Sequence, residues 1–254
     1  MNINFIMGGM MGDAIQSLYA VKNICELCGE KANVYISGHG DVWTRGIEVA
    51  YQDLKQLMAC QDYIDNFEMY DPNNHPKNAI NLSDWREVVA KTHSETGKYD
   101  KCWSELLSQV YKFPIPKEYK WLNVAPDERT KGCFVIHRSK HRHNPNFDWG
   151  GVINKISLPI YFVTTDYNEW ELFPHKYSGI NLYLVYNIYQ LASAIAGCKG
   201  FLGNQSAPFS IASALDVPRF CELDFDPAAF YMDERKYTKN IGWYLSDECK
   251  HVGN

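Results

Sequence analysis

No apolar run in the 254-residue sequence approaches the ~18 residues that a membrane-crossing helix needs. Charge of one sign is also scarce: 25 Lys and Arg stand against 30 Asp and Glu, a formal charge of −5. That balance gives no global basic field for a stable nucleic-acid partner or an anionic membrane. The opening Met1-Asn2-Ile3-Asn4-Phe5-Ile6-Met7 has neither a charged n-region nor a long apolar core, so it reads as a first strand and not as a signal peptide. Eight cysteines are scattered without a dense framework, which fits a reducing, cytoplasmic compartment, with peripheral attachment at the inner membrane face as the other placement. Cys25 and Cys28 form a CxxC, but it sits late in an expected helix and has no second pair to complete a zinc site, so packing explains it. Low-complexity sequence is absent, and 46% hydrophobic against 22% charged residues is the balance of a folded globular chain.

Periodicity predicts two α/β lobes. Ile3 to Met7 reads as a strand, Asp13 to Leu27 as a helix stopped by Gly29, and Ala32 to Ile36 as a second strand, together a right-handed βαβ unit. Residues 45–120 are less regular, with helices expected at Ile47 to Met58 and Trp103 to Tyr111 and short strands near Phe67 to Tyr70 and Ala79 to Leu82. Pro114, Pro116, Trp121 and Pro126 mark a linker over 115–130. A second alternation follows: strands at Cys133 to His137, Ile160 to Thr164, Gly200 to Leu202 and Arg219 to Leu223, and helices at Trp149 to Ile156, Leu182 to Ala196 and Pro208 to Leu215. The expected domains are therefore 1–120 and 121–254.

Four segments carry candidate chemistry. Gly8-Gly9-Met10-Met11-Gly12-Asp13 joins a strand to a helix. Its glycines permit a tight turn and close backbone approach, and Asp13 in the first helical turn is either a catalytic carboxylate or a helix cap. The spacing is GGxxG, not GxGxxG, and Ser37, Gly38 and His39 stand where a dinucleotide fold wants an acid. Both points count against a dinucleotide-dependent oxidoreductase. Gly203-Asn204-Gln205-Ser206-Ala207-Pro208 delivers small polar groups to a helix N-terminus, either as a phosphate cradle or as a turn with Ser206 as its cap. His137-Arg138-Ser139-Lys140-His141-Arg142-His143-Asn144 places three cations after a strand, as an anion-binding edge or as a surface charge run. Its three histidines lie on a loop at a spacing that does not specify a metal site. Thr164-Thr165-Asp166-Tyr167-Asn168-Glu169 offers a carboxylate for ribose hydroxyls, or a helix start rich in caps.

Together these segments resemble the ADP-heptose:lipopolysaccharide heptosyltransferase family (glycosyltransferase family 9). Members open with a strand, a Gly-rich turn ending in Gly-Asp and a helix, as Phe5 to Asp13 does. Near the C-terminus they carry a phrase like F-I-G-N-D-S-G-P-x-H-x-A-A-A-L-G-V-P, matched in order and length by Phe201 to Pro218. Similarity covers both ends and the second lobe, and 40–115 matches poorly. The resemblance implies a GT-B fold, two Rossmann-like lobes facing a central cleft, with an acceptor-side N-terminal lobe and a nucleotide-sugar-binding C-terminal lobe. It implies inverting, metal-independent transfer to a glycan, glycolipid or other hydroxyl acceptor, with no cofactor beyond the donor. Asp13 matches the family's base. Gly9, Gly12, Arg138, Ser139, Arg142, Glu169, Asn204, Gln205, Ser206 and Ala207 are the expected nucleotide-sugar-binding residues. Gln205 for the usual Asp, Ala207 for Gly and Ser210 for His are departures, so the resemblance leaves the sugar open and keeps a non-catalytic nucleotide-sugar-binding module as an alternative. Acceptor contacts are expected near His39, Asp41 and Trp43.

Overall fold

The structure, a computed structural model, describes residues 2–38, 43–74, 76, 78–96, 103–115, 120–176 and 179–222. It resolves into two units that divide between Asn123 and Val124. His39, Asp41 and Leu223 lie outside the described residues.

The first unit runs β1 (Ile3–Met7), α1 (Met11–Cys28), β2 (Ala32–Ile36), α2 (Ile47–Ala59), β3 (Ile64–Met69), β4 (Ile80–Asn81), α3 (Trp85–Thr96) and α4 (Trp103–Tyr111). Its sheet is parallel throughout, in the order β3-β2-β1-β4. Phe5, Met7, Val34 and Ile36 are fully buried, as the inner strands of a helix-covered sheet must be. Gly29 ends α1 in the left-handed conformation (φ 67°), and its N–H donates to the Cys25 carbonyl. Burial pushes the Cys25 thiol up to about 11, which suits packing and not redox chemistry.

Residues 121–123 dock in the first unit and do not act as a free linker. The Trp121 indole N–H donates to the Ile15 carbonyl at 2.9 Å, and the Tyr63 hydroxyl donates to the Trp121 carbonyl at 2.7 Å. Tyr19 of α1 meets the Phe113 and Trp121 rings edge-on. Aromatic burial thus moves the end of this unit a few residues past the boundary that proline spacing suggests.

The second unit runs from a short 3₁₀ turn (Glu128–Thr130) through β5 (Phe134–His137), α5 (Trp149–Ile153), β6 (Ile160–Thr164), α6 (Tyr167–Glu171), β7 (Ile180–Leu184), α7 (Ile188–Gly197), β8 (Gly200–Asn204), α8 (Ala207–Ala214) and β9 (Arg219–Glu222). Its five strands are all parallel, in the order β7-β6-β5-β8-β9. Phe134, Phe162, Phe173 and Leu202 centre a core against which Trp149 and Ile153 of α5 pack. One expectation is corrected. The apolar run from Leu182 is not one helix: Leu182–Leu184 completes β7, and α7 begins at Ile188 after Asn187, whose side chain accepts from the Gln190 N–H. A continuous apolar run fits a buried strand and a buried helix equally, so only the cap separates them.

Gly197, the last residue of α7, lies against the chain that enters this unit. A Cβ there would stand 2.4 Å from the Asp127 carbonyl oxygen and 2.5 Å from the Thr130 hydroxyl. Gly197→Ala should therefore destabilise the second unit by about 1–3 kcal/mol, because backbone has to move. Chemical denaturation should show it as a lower midpoint, and an unchanged midpoint would remove this close approach.

Candidate functional site

In a parallel sheet, ligands bind beyond the carboxyl ends of the strands where the strand order reverses. The first sheet reverses between β1 and β4, the second between β5 and β8. The motifs after β1, β5 and β8 leave a strand at one of these points, and the Thr164–Glu169 motif leaves β6, one place away.

In the first unit the turn after β1 uses Gly9 at φ 102°, a conformation that L side chains rarely adopt. A Cβ on Gly9 would also fall 2.3 Å from the Arg86 guanidinium. Gly12 and Asp13 are in the first turn of α1, which starts at Met11, two residues earlier than its periodicity predicts. Asp13 accepts from Arg86 Nη2 at 2.8 Å and from the Met10 backbone N–H at 3.4 Å, both on Oδ2. The carboxylate is therefore both a partner of the helix start and one half of an ion pair. Arg86 comes from α3, just beyond β4, and its guanidinium lies 4.8 Å over the Trp85 ring. Sequence reasoning missed Arg86. Ser83-Asp84 followed by Trp85-Arg86-Glu87 is a helix-start signal that could have placed it near a strand end. Trp43, near which acceptor contacts are expected, is buried, and its indole N–H donates to the Ser37 carbonyl at 2.9 Å.

In the second unit the loop after β5 wraps over the β8–α8 turn. Arg138 is committed to Glu222, whose side chain is fully buried at the end of β9: Nε and Nη2 donate to its two oxygens at 2.9 and 2.8 Å. The Asn144 N–H adds a third donor to that carboxylate at 2.9 Å. Asn204 is fully buried and tied to the same loop. Its amide oxygen accepts from the Ser139 N–H at 3.0 Å, and its amide nitrogen donates to Ser139 Oγ at 3.0 Å and to the His141 carbonyl. Arg138 is thus engaged by Glu222, and Ser139 and Asn204 are engaged by each other.

Arg142 differs. It sits at φ 58°, an uncommon backbone for a non-glycine residue, and reaches the Gln205 carbonyl at 3.4 Å. Ser206 occupies the N-cap of α8, but its hydroxyl donates to the Asn204 carbonyl at 3.1 Å and no side chain caps the helix. The cap expected from Ser206 is thus absent. Pro208 has no N–H and the Ser210 N–H bonds the Ser206 carbonyl, so the N–H groups of Ala207 and Phe209 are the ones the start of α8 has to offer an anion. The Gln205 side-chain oxygen is buried with no hydrogen-bond partner among the described residues, a cost that a donor on a bound ligand would remove.

Glu169 of α6 joins these strand ends by a different route. It accepts from the Thr164 hydroxyl at 2.6 Å and stands 3.6 Å from His137 Nε2. His137 is buried, with Nδ1 2.9 Å from the Val163 carbonyl, whereas His141 and His143 are exposed. Among the described residues no three His, Cys, Asp or Glu side chains converge as a metal site would require. No helix among them is long and apolar enough to cross a membrane.

No family model matches the chain, and no curated protein matches it in sequence. Solved structures do match. E. coli heptosyltransferase WaaC with ADP-2-deoxy-2-fluoro heptose superposes with a TM-score of 0.54 at 10% identity, over 87% of this chain and 88% of that one. The same enzyme with ADP gives 0.55 at 11% identity, over 87% of each chain. The dodecameric iron-containing heptosyltransferase TibC, in complex with ADP-D-β-D-heptose, gives 0.57 at 12% identity, over 92% of this chain and 62% of that one. The chain therefore has the α/β fold of the GT-B heptosyltransferases, with two parallel, Rossmann-like sheets.

Proposed function

We propose that the protein is a glycosyltransferase that takes a sugar from a nucleoside-diphosphate donor and passes it to an acceptor hydroxyl. The observation that carries this reading is positional: the Gly-Asp turn and the Gln205–Ala207 turn each stand at the reversal point of their own sheet. The solved structures of similar fold that hold ADP or an ADP-heptose make a nucleoside diphosphate the first ligand to test.

In this reading Asp13 takes the proton from the acceptor hydroxyl as that oxygen bonds to the anomeric carbon. The anomeric carbon–oxygen bond to the diphosphate breaks, and the leaving oxygen keeps the electron pair. Arg86 fixes the carboxylate, its Nη2 donating to Oδ2 at 2.8 Å. Arg142 and the open N–H groups of α8 stabilise the charge developing on the leaving diphosphate. Glu169 faces the ribose. Arg138, Ser139 and Asn204 position the loop that carries Arg142. The domain roles follow: acceptor activation in the first unit, donor binding in the second, in the cytoplasm.

A non-catalytic nucleotide-sugar-binding module is the second reading, favoured by Gln205 in place of the family's acid. Slow hydrolysis of an ADP-sugar by the purified protein counts against it.

Asp13→Ala should lower transfer by about 10²–10⁴-fold, while ADP still raises the melting temperature as in the wild type. Transfer near the wild-type rate would remove Asp13 as the base. Gly9→Ala should reproduce part of the loss by displacing Arg86, and full activity in that variant would sink the positioning role.

The two arginines should separate cleanly. Arg142→Ala should weaken ADP binding about tenfold or more with little change in stability. Arg138→Ala leaves a buried carboxylate without its ionic partner and should cost about 3–5 kcal/mol of stability. Equal stability losses in urea titrations would contradict this division of labour.

A further inference from the structure

The second unit holds a cavity of about 450 Å³ that the proposed reaction does not use. It is walled by the entering chain at Ala125 to Arg129, the carboxyl half of β7 and the first turns of α7. In the strand order β7 lies two places from β5, about 10 Å from the donor crevice at β5 and β8. The volume falls in the range of small-ligand sites, about 300–1,000 Å³.

Its walls are tied down. The Asp127 N–H donates to the Ser193 carbonyl and the Tyr183 hydroxyl donates to the Asp127 carboxylate. The Arg129 guanidinium stacks 4.2 Å from the centroid of the Tyr183 ring. At the rim the Tyr186 N–H donates to the Gln190 side-chain oxygen at 2.9 Å, and the Gln190 N–H donates to Asn187 at 2.9 Å. This fixes the backbone that carries Tyr186, a ring left 87% exposed. An aromatic ring presented to solvent from an anchored turn is poised to stack.

The lining selects a ligand class. Asp127 and Arg129 balance each other in charge, so neither an anion nor a cation is favoured. Asp127 accepts, Arg129 donates, and Gln190 and Ser193 can do either. Asp127 already accepts from the Arg129 backbone N–H and the Tyr183 hydroxyl, and the Gln190 oxygen accepts from the Tyr186 N–H. What an apolar ligand would leave unmatched are the Arg129 guanidinium, the Gln190 amide nitrogen and the Ser193 hydroxyl. A neutral ring bearing many hydroxyls satisfies them, and its C–H face carries the partial positive charge that the negative face of an aromatic ring attracts. We infer that this cavity binds a neutral saccharide ring, at a site separate from the nucleotide crevice. The inference rests on the cavity alone and stands whether or not Asp13 is a catalytic base.

The test is saturation-transfer NMR on the full chain with ADP present to fill the donor crevice. The probes are maltose, cellobiose, lactose and di-N-acetylchitobiose, each at about 10 mM, the range for weak sugar binding. At least one should give saturable transfer, and a Tyr186→Ala, Arg129→Ala double variant should weaken it about tenfold or more. The same variant should keep the wild-type urea unfolding midpoint to within about 0.5 M, which shows that it is folded whether or not ADP binds. Three results would overturn the inference: no transfer to any of the four probes, transfer unchanged in the double variant, or a bound saccharide displaced by adenosine.

Discussion

A sheet built only of parallel strands cannot be joined by hairpins; every connection must climb back over a face of the sheet. That constraint organises both units. Where successive crossovers turn from one side of the first strand to the other, neighbouring loops part and leave a crevice that no side chain of the core fills. The order reverses between β1 and β4 in the first unit and between β5 and β8 in the second. The chemistry-bearing residues are where they are because the chain must turn there, and the glycines are there because the turn is tight. Gly9 shows this most directly, since its missing side chain leaves the room that Arg86 occupies beside Asp13.

The second crevice depends further on one buried charge. Glu222 is fully buried, and an unpaired carboxylate in that position would be untenable. Arg138 and the Asn144 N–H satisfy it, and in doing so they pin both ends of the loop over β8. Asn204 pins the middle. With three anchor points, the loop can hold Arg142 in a left-handed backbone conformation at the mouth of α8. A cation paired with a buried carboxylate and a cation that reaches the β8–α8 turn thus share one short segment, which is why its composition alone reads equally as a charge run or a binding edge.

What was legible in the sequence follows the range of the forces involved. The β1–α1–β2 unit could be read because its periodicity, glycine stop and strand lengths are local. So could the β8–α8 turn. The β7–α7 boundary could not, because Leu182 to Ala196 is apolar on both sides of the break and only Asn187 marks it. Helix α3 is too polar to advertise a buried face, and the residue it delivers, Arg86, meets a partner 73 positions away. The commitment of Arg138 to Glu222 spans 84 positions. Motif spacing identifies which segments gather at a crevice. It does not reveal which of their side chains are already engaged with one another.

The departures from the heptosyltransferase-like phrase gain physical content from this geometry. An acid at position 205 would place a negative charge beside the open end of α8, where a diphosphate is proposed to sit. Gln205 removes that repulsion and leaves a neutral amide oxygen, buried and lacking a donor among the described residues. Such an oxygen accepts one hydrogen bond from a ligand hydroxyl or amino group and contributes nothing to proton transfer. In the proposed reading the substitution therefore bears on which donor is held and not on Asp13, which belongs to the other unit. A ligand with no donor group to offer leaves the amide as unsatisfied as it is now, so in the proposed reading a buried acceptor of this kind would favour donors that bear a hydroxyl or amino group there.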